Sequence, residues 1–407
     1  MTFVIKISVN YVSPVIQKLW ARRSTVLEWF VIIAVALYGV RLLTQMPPDF
    51  QWDLRTYYDS AKAFTAGLNP YDRHPLVIWE YTYLPLSLWF FVPFTLLDQS
   101  TALSIWLIIK ITLLIGLIVL WRVKFLAEEG DGLFYIFCLL AFNSTIFLDM
   151  RAGNVSVIEQ AFIWLAFFFF LRKNYFWFCI LLIIGSIFKG LPMAFLLLLW
   201  LTDSPKRHLY FFGSVAAFAG MIGLTFLMSP QLLLGFLGNA TGHVESAGPS
   251  NFYFIKASFH ALYEMTRLNV PDAIQTFFFY GVASVIVLLT AWACARLKFI
   301  ADGEKVGVFL LCSAYGLLPP YFADYAYIPL IVPAFFIFKR ASLKAFLPLF
   351  LIASLSPLNL LPRPSALDYL WRYYPVLTAW GVWGMYVWEI YFMTKTSMQV
   401  NGKMPFQ

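Results

Sequence analysis

The sequence predicts an all-α integral membrane protein, a bundle of about 12 transmembrane helices whose long first outer loop carries interfacial helices. Three observations predict it. The chain is 61% hydrophobic and only 12% charged, against about 25% charged in a soluble domain, so too little polar surface remains to cover a water-exposed globule. Apolar runs of roughly 15–25 residues recur from end to end, the length that crosses a ~30 Å hydrocarbon core. Most of the basic residues between those runs sort to one side of the bilayer. The alternating short segments of a closed barrel are absent, so the spans are helices whose backbone groups are satisfied internally.

Lys6, Lys18, Arg22 and Arg23 place the N-terminus in the cytoplasm, and Val26–Gln45 is expected to stay as an uncleaved first span. A long outer segment follows from Met46. Residues 82–97 form a short apolar run interrupted by Pro85 and Pro93, and read best as a re-entrant helix. Span 2 then covers 101–121 and ends on Arg122 and Lys124 inside. Span 3 (133–149) exits and span 4 (157–171) returns to Arg172-Lys173. The run 175–201 is long for one helix, and Lys189-Gly190-Leu191-Pro192 breaks its middle. Two short passes keep Lys206-Arg207 inside, provided that protein or a water-filled cavity covers the hairpin. Span 7 (209–228) leads to an outer loop, 229–274. Spans 8 (275–296), 9 (306–319), 10 (326–338), 11 (344–360) and 12 (374–394) complete one polytopic domain over 1–394, with 395–407 as a short cytoplasmic tail.

Composition limits the function classes. The net charge of +8 resides in short loops and orients the chain, so no nucleic-acid partner is expected. Each of the four cysteines lies in an apolar run and none forms a CxxC pair, which argues against a disulfide framework or zinc site. No P-loop, GxGxxG or GxSxG motif occurs, and no cofactor is expected. His243 and Glu245 lie in a Gly-rich stretch of the 229–274 loop without a third ligand at metal spacing; that loop is expected to cover the site or shape an acceptor cleft.

The threading sends Asp53, Arg151, Lys189, Asp324 and Arg363 to the outer side from five separate segments. Ionisable groups at membrane depth mark function, because each is costly unless paired or hydrated. Their convergence points to a single cavity. Asp53 begins a candidate interfacial helix and shares a face with Tyr57 and Ser60; it serves either as a helix cap or as a general base. Lys189, in mid-run, either snorkels to an interface or binds phosphate. Arg151 and Arg363 offer paired donors to phosphate. Asp324 takes sugar hydroxyls or pairs with a cation.

Several segments resemble a known family in order along the chain. They are Asp53…Tyr57-Tyr58…Gly67…Pro70-Tyr71, Tyr81-Thr-Tyr-Leu-Pro85, Arg151-Ala-Gly153-Asn154, Ile187-Phe-Lys189-Gly-Leu-Pro192 and Leu318-Pro-Pro-Tyr321-Phe-Ala-Asp324-Tyr325. Together they resemble glycosyltransferase family 87, the polyprenyl-phosphate-mannose-dependent mannosyltransferases of the GT-C fold. Two departures stand out: Gly153-Asn154 replaces the usual Gly-Gln, and a second Pro is missing near Pro85. The resemblance implies Asp53 as catalytic base. It also implies donor binding by Lys189, Arg151, Asp324, Tyr321, Asn154, Tyr57 and Arg363, with no metal. The implied reaction moves a hexose, mannose in this family, from a polyprenyl-phosphate sugar to a glycolipid or lipid-linked glycan. It would occur with inversion on the outer face of the cytoplasmic membrane, both termini being cytoplasmic and membrane lipids surrounding the bundle. The rival readings are a transporter or flippase of lipid-linked sugars, against which the lack of an internal repeat counts, and a glycan polymerase or ligase.

Overall fold

The computed structural model describes residues 14–45, 50–72, 81–242, 250–300, 302–341, 343–354 and 373–400. Among these residues all regular structure is helical. Five of the described helices are long and apolar enough to cross a membrane: Thr25–Gln45, Gln99–Phe125, Gly132–Ala152, Arg207–Met228 and Asp272–Phe299. The first is the C-terminal part of α1 (Pro14–Gln45).

Between the first two spans lie α2 (Trp52–Thr65) and α3 (Leu86–Phe91), the latter continued as a 3₁₀ turn, Val92–Leu96. α2 is amphipathic and turns Leu54, Tyr57, Tyr58 and Ala61 inward. Phe91 of α3 fills the space beneath it, 4.6 Å from the Tyr57 ring, and the Leu84 amide donates to the Phe188 carbonyl at 3.2 Å. The Leu86–Leu96 segment extends at most about 20 Å, short of a full crossing.

α4 (Gln99–Leu120) starts at Asp98, whose carboxylate accepts from the Thr101 amide at 3.0 Å, and α5 (Gly132–Ala152) starts at Asp131. The sequence predicts an unbroken third span, but α5 is kinked. Phe142, Asn143 and Ser144 all take left-handed backbone angles, which cost non-glycine residues about 1–2 kcal/mol each. Packing holds the kink: the Phe142 ring stacks on Tyr327 at 5.6 Å, and the Thr145 hydroxyl donates to the Asp324 carbonyl at 2.7 Å.

α6 (Ser156–Leu171) packs along α7 (Tyr175–Lys189). Gly190 turns the chain at a φ of 72°, and Leu191–Leu201 continues as a 3₁₀ helix with Pro192 in its first turn. The wider rise of 3₁₀ winding gives those residues about 22 Å, matching the roughly 22 Å of the longer α7. The two arms of the break are thus equal in length though unequal in residues.

The remaining helices are α8 (Arg207–Met228), α9 (Pro230–Gly242), α10 (Asn251–Thr266), α11 (Asp272–Arg296), α12 (Gly303–Tyr315), α13 (Ile331–Arg340), α14 (Leu343–Ser354) and α15 (Tyr374–Val400). Among the described residues, the segment expected as the 229–274 loop therefore carries α9 and α10, and α11 begins within it. The 3₁₀ turn Asp324–Leu330 enters α13 and packs against α5 and α6.

Candidate functional site

The junction of α5 and α6 organises the site. Gly153 ends α5 with a φ of 71°, and a Cβ there would lie 2.8 Å from the Gln51 side chain, so glycine lets the chain entering α2 pass close. The Gln51 amide donates to the Arg151 carbonyl at 2.8 Å, which fastens the start of α2 to the end of α5. From the other side, Trp106 of α4 donates to the Gly153 carbonyl at 2.9 Å and Lys110 to the Asp149 carbonyl at 2.6 Å. The Arg151 and Gly153 carbonyls at the end of α5 thereby gain donors, and the Asp149 carbonyl, which already accepts from the Gly153 amide at 3.0 Å, gains a second one.

Asn154 follows, completely buried. Its Oδ1 accepts from the Ser156 amide at 3.0 Å, from the Ser156 hydroxyl at 2.7 Å and from Lys189 Nζ at 3.4 Å. Its Nδ2 donates to Asp53 Oδ2 at 2.7 Å, to the Tyr83 hydroxyl at 2.9 Å and to the Tyr57 hydroxyl at 3.1 Å. Donors meet one end of the amide and a carboxylate meets the other, which determines its orientation. Tyr57 and Tyr83 are themselves joined hydroxyl to hydroxyl at 2.7 Å.

Asp53 sits in the first turn of α2, where the helix dipole favours a carboxylate. The position before the helix belongs to Gln51, which makes no side-chain cap. The Asp53 carboxylate instead reaches across to Asn154 and to the Tyr325 hydroxyl. It is half-buried. Burial raises its pKa above the ordinary carboxylate range; the Asn154 hydrogen bond, Lys189, Lys110 and the Tyr325 hydrogen bond oppose that rise without cancelling it. Such a group is a stronger base than a surface carboxylate.

Lys189, at the end of α7, is 22% exposed. Besides Asn154 its ammonium faces Glu159 Oε2 at 3.8 Å and the Tyr83 ring at 5.9 Å. Behind Asp53, Lys110 and Asp149 form an ion pair of 2.7 Å with both side chains fully buried.

Of the residues singled out from sequence, Asp53, Tyr57, Asn154 and Lys189 meet in this cluster. Arg151 adjoins it through its carbonyl, while its side chain is exposed. Asp324 heads the 3₁₀ turn, with its carbonyl on Thr145 and its carboxylate within electrostatic reach of Tyr327 and Tyr374. Tyr325, the next residue, meets Asp53. Tyr321 packs on α10, its ring 6.2 Å from Phe252 and 6.4 Å from Tyr253, apart from the Asn154 cluster. Arg363, His243 and Glu245 lie outside the described residues.

Sequence reasoning missed Tyr83, Tyr325, Glu159, Lys110 and Asp149. Three of them carried a signal, since Lys110, Asp149 and Glu159 are ionisable residues within apolar helices. The tyrosines carried only their place in the family-like segments, because Tyr at a span end reads equally well as an interface anchor.

No curated protein and no solved structure matches the chain. The family model described as Glycosyltransferase family 87 matches residues 81–319, more than half of the chain and a stretch that includes Tyr83, Asn154, Glu159 and Lys189. With its helices of membrane-spanning length, the chain is a multi-pass membrane glycosyltransferase, and it belongs to glycosyltransferase family 87.

Proposed function

We propose that this chain moves a hexose, mannose in the first instance, from a polyprenyl-phosphate sugar to a glycolipid or lipid-linked glycan acceptor. The observation that carries the reading is the double engagement of Asn154: one end of its amide holds the Asp53 carboxylate at 2.7 Å and the other the Lys189 ammonium at 3.4 Å. A base and a cation are the two groups that direct displacement from a phosphodiester-linked sugar needs. The acceptor oxygen attacks the anomeric carbon as Asp53 takes its proton. The bond from that carbon to the phosphate oxygen breaks, and polyprenyl phosphate leaves with the electron pair, its charge met by Lys189. A single displacement inverts the anomeric centre. Tyr83 and Tyr325 present hydroxyls around the carboxylate for the sugar, and Tyr57, buried beneath them, supports this donor site by holding the Tyr83 hydroxyl at 2.7 Å. Arg151, Asp324, Tyr321 and Arg363 belong to the wider donor site of this proposal.

In this reading residues 1–394 form one GT-C-type membrane domain with cytoplasmic termini. Segment 46–100 supplies the catalytic residues, and segment 229–274 covers the site or takes the acceptor. The GT-C assignment and the donor rest on the family resemblance.

Lys189→Ala is expected to weaken binding of a polyprenyl-phosphate hexose by about tenfold or more, the equivalent of one charge-assisted contact, while the variant remains folded. Unchanged donor affinity by equilibrium binding would remove the phosphate role. The sidedness has its own test. Lys62 is exposed in the last turn of α2, and Lys62→Cys should react with a membrane-impermeant thiol reagent in intact cells. Reaction only after permeabilisation would place α2 on the cytoplasmic side.

A further inference from the structure

Two lysine–carboxylate pairs near Asp53 differ in tightness. Lys110 is committed: its ammonium lies 2.7 Å from Asp149 Oδ2 and 2.6 Å from the Asp149 carbonyl, with no exposure of either side chain. Lys189 is shared. It stands 3.8 Å from Glu159 Oε2 and 3.4 Å from Asn154 Oδ1, both longer than the roughly 2.7–2.9 Å of a good charge-assisted bond. The exposures also differ, at 22% for the Lys189 side chain and 4% for Glu159. An incoming anion can therefore approach the ammonium from its exposed side and draw it away from the carboxylate, which stays buried. Glu159 has a second partner, the Tyr315 hydroxyl, 3.4 Å from Oε1. That donor stays in place if Lys189 turns away.

We propose that Glu159 is the counter-ion that Lys189 exchanges for the phosphate of its ligand, and that this competition limits how tightly the polyprenyl phosphate product is held. The proposal rests on the assignment of Lys189 to the phosphate. Its physical basis is a change in charge during the reaction. The donor carries a phosphodiester, with one negative charge. The product carries a phosphomonoester whose second ionisation falls near neutrality, so it binds a fixed ammonium more strongly than the donor does. With a lysine and no competitor, the site would retain its product. A carboxylate within reach of the same ammonium opposes binding of either ligand and reclaims Lys189 as the product departs. Glu159 touches neither sugar nor phosphate in this scheme; it is a positioning residue that acts through Lys189.

The test uses the purified full-length chain in lipid nanodiscs, with farnesyl phosphate as the product probe in equilibrium binding. Glu159→Gln keeps the shape and the Tyr315 contact but removes the charge, and should bind the probe about tenfold tighter. Glu159→Asp, the fallback should the amide fail to fold, draws the carboxylate back and should tighten binding by a smaller factor. Lys189→Ala should weaken binding. Adding Glu159→Gln to it should then have no further effect, a coupling that a merely structural role would not produce. Unchanged or weaker binding in Glu159→Gln, with Lys189→Ala still weakened, would overturn the competition and leave Lys189 on the phosphate. Unchanged binding in Lys189→Ala would remove the phosphate assignment and this proposal with it.

Discussion

Asp53→Asn should lower turnover by about 10³-fold or more, within the range that a positioned general base contributes. The protein should stay folded and still bind its donor. The amide keeps the size of the carboxyl group and can still accept from Asn154 Nδ2, the 2.7 Å contact that now fixes Asp53. What is lost is the capacity to take a proton from the acceptor hydroxyl. Donor affinity should hold, because in the proposed displacement Asp53 meets the acceptor hydroxyl and Lys189 meets the phosphate. The assay is release of polyprenyl phosphate from a polyprenyl-phosphate hexose, read beside a thermal melt and a donor-binding isotherm. Turnover near that of the unaltered protein would exclude Asp53 as the base, whatever its position.

The second large effect belongs to Asn154→Ala. That change removes a fully buried amide to which five side chains are hydrogen-bonded: Asp53, Tyr57 and Tyr83 at its nitrogen, Ser156 and Lys189 at its oxygen. Leaving such partners unsatisfied costs about 1–3 kcal/mol for each group that water cannot reach, so a lower melting temperature is expected. Turnover should fall by about 10²-fold, the scale on which small displacements of a catalytic group act. The pH dependence supplies a more specific sign. Burial is the main cause of the raised Asp53 pKa, and the Asn154 hydrogen bond is the largest of the influences pulling it down. Without that bond the carboxylate ionises only at higher pH. The acid limb of kcat/KM, along which activity rises as Asp53 loses its proton, should therefore move to higher pH. Lys189→Ala should move it the same way, because Lys189 is the next stabiliser of the charged form. A limb that stays in place in Asn154→Ala would mean that the titration controlling the rate belongs to another group.

These expectations rest on features that differed in how plainly the sequence carried them. Membrane helices were readable from run length and composition alone, because a bilayer imposes its thickness on any span. The break at Lys189-Gly190-Leu191-Pro192 was readable because glycine and proline mark it. The 3₁₀ winding of Leu191–Leu201 was not, since a Leu-rich run favours α winding and only the geometry of the pair of arms accounts for the longer rise. Nor was the kink in α5 readable. It falls on Phe142, Asn143 and Ser144, where neither glycine nor proline announces a left-handed turn and where contacts with Tyr327 and Asp324 hold the backbone.

The candidate site divides the same way. Asp53, set among Asp49, Arg55, Asp59 and Lys62, is singled out by the threading and the family-like segment, whereas Lys189 stands out as a charge in an apolar run. The sequence reading favours Asp324 for the same reason, yet it is the hydroxyl of Tyr325 that meets Asp53. A 3₁₀ turn that begins at Asp324 sets which side chain faces which neighbour, and no spacing rule supplies that. Asn154 presents a different case. Its side chain looks like an ordinary helix-start residue, and it does accept from the Ser156 amide in that manner. The structure adds a second use of the same amide, as the bridge between a carboxylate on α2 and an ammonium on α7. That bridge requires α5 to end where it does. Trp106, Lys110 and Gln51 hold that end from two other elements, a long-range arrangement that local sequence does not encode.

The most direct measurement is incubation of the purified protein with a panel of polyprenyl-phosphate hexoses and a glycolipid acceptor, alongside Asp53→Asn and Lys189→Ala. The account predicts that at least one donor, the mannosyl one first, yields polyprenyl phosphate and a glycoside of inverted anomeric configuration. Asp53→Asn should form product about 10³-fold more slowly or worse, and Lys189→Ala should require more donor. Product of retained configuration, or equal yields from all three proteins, would contradict it.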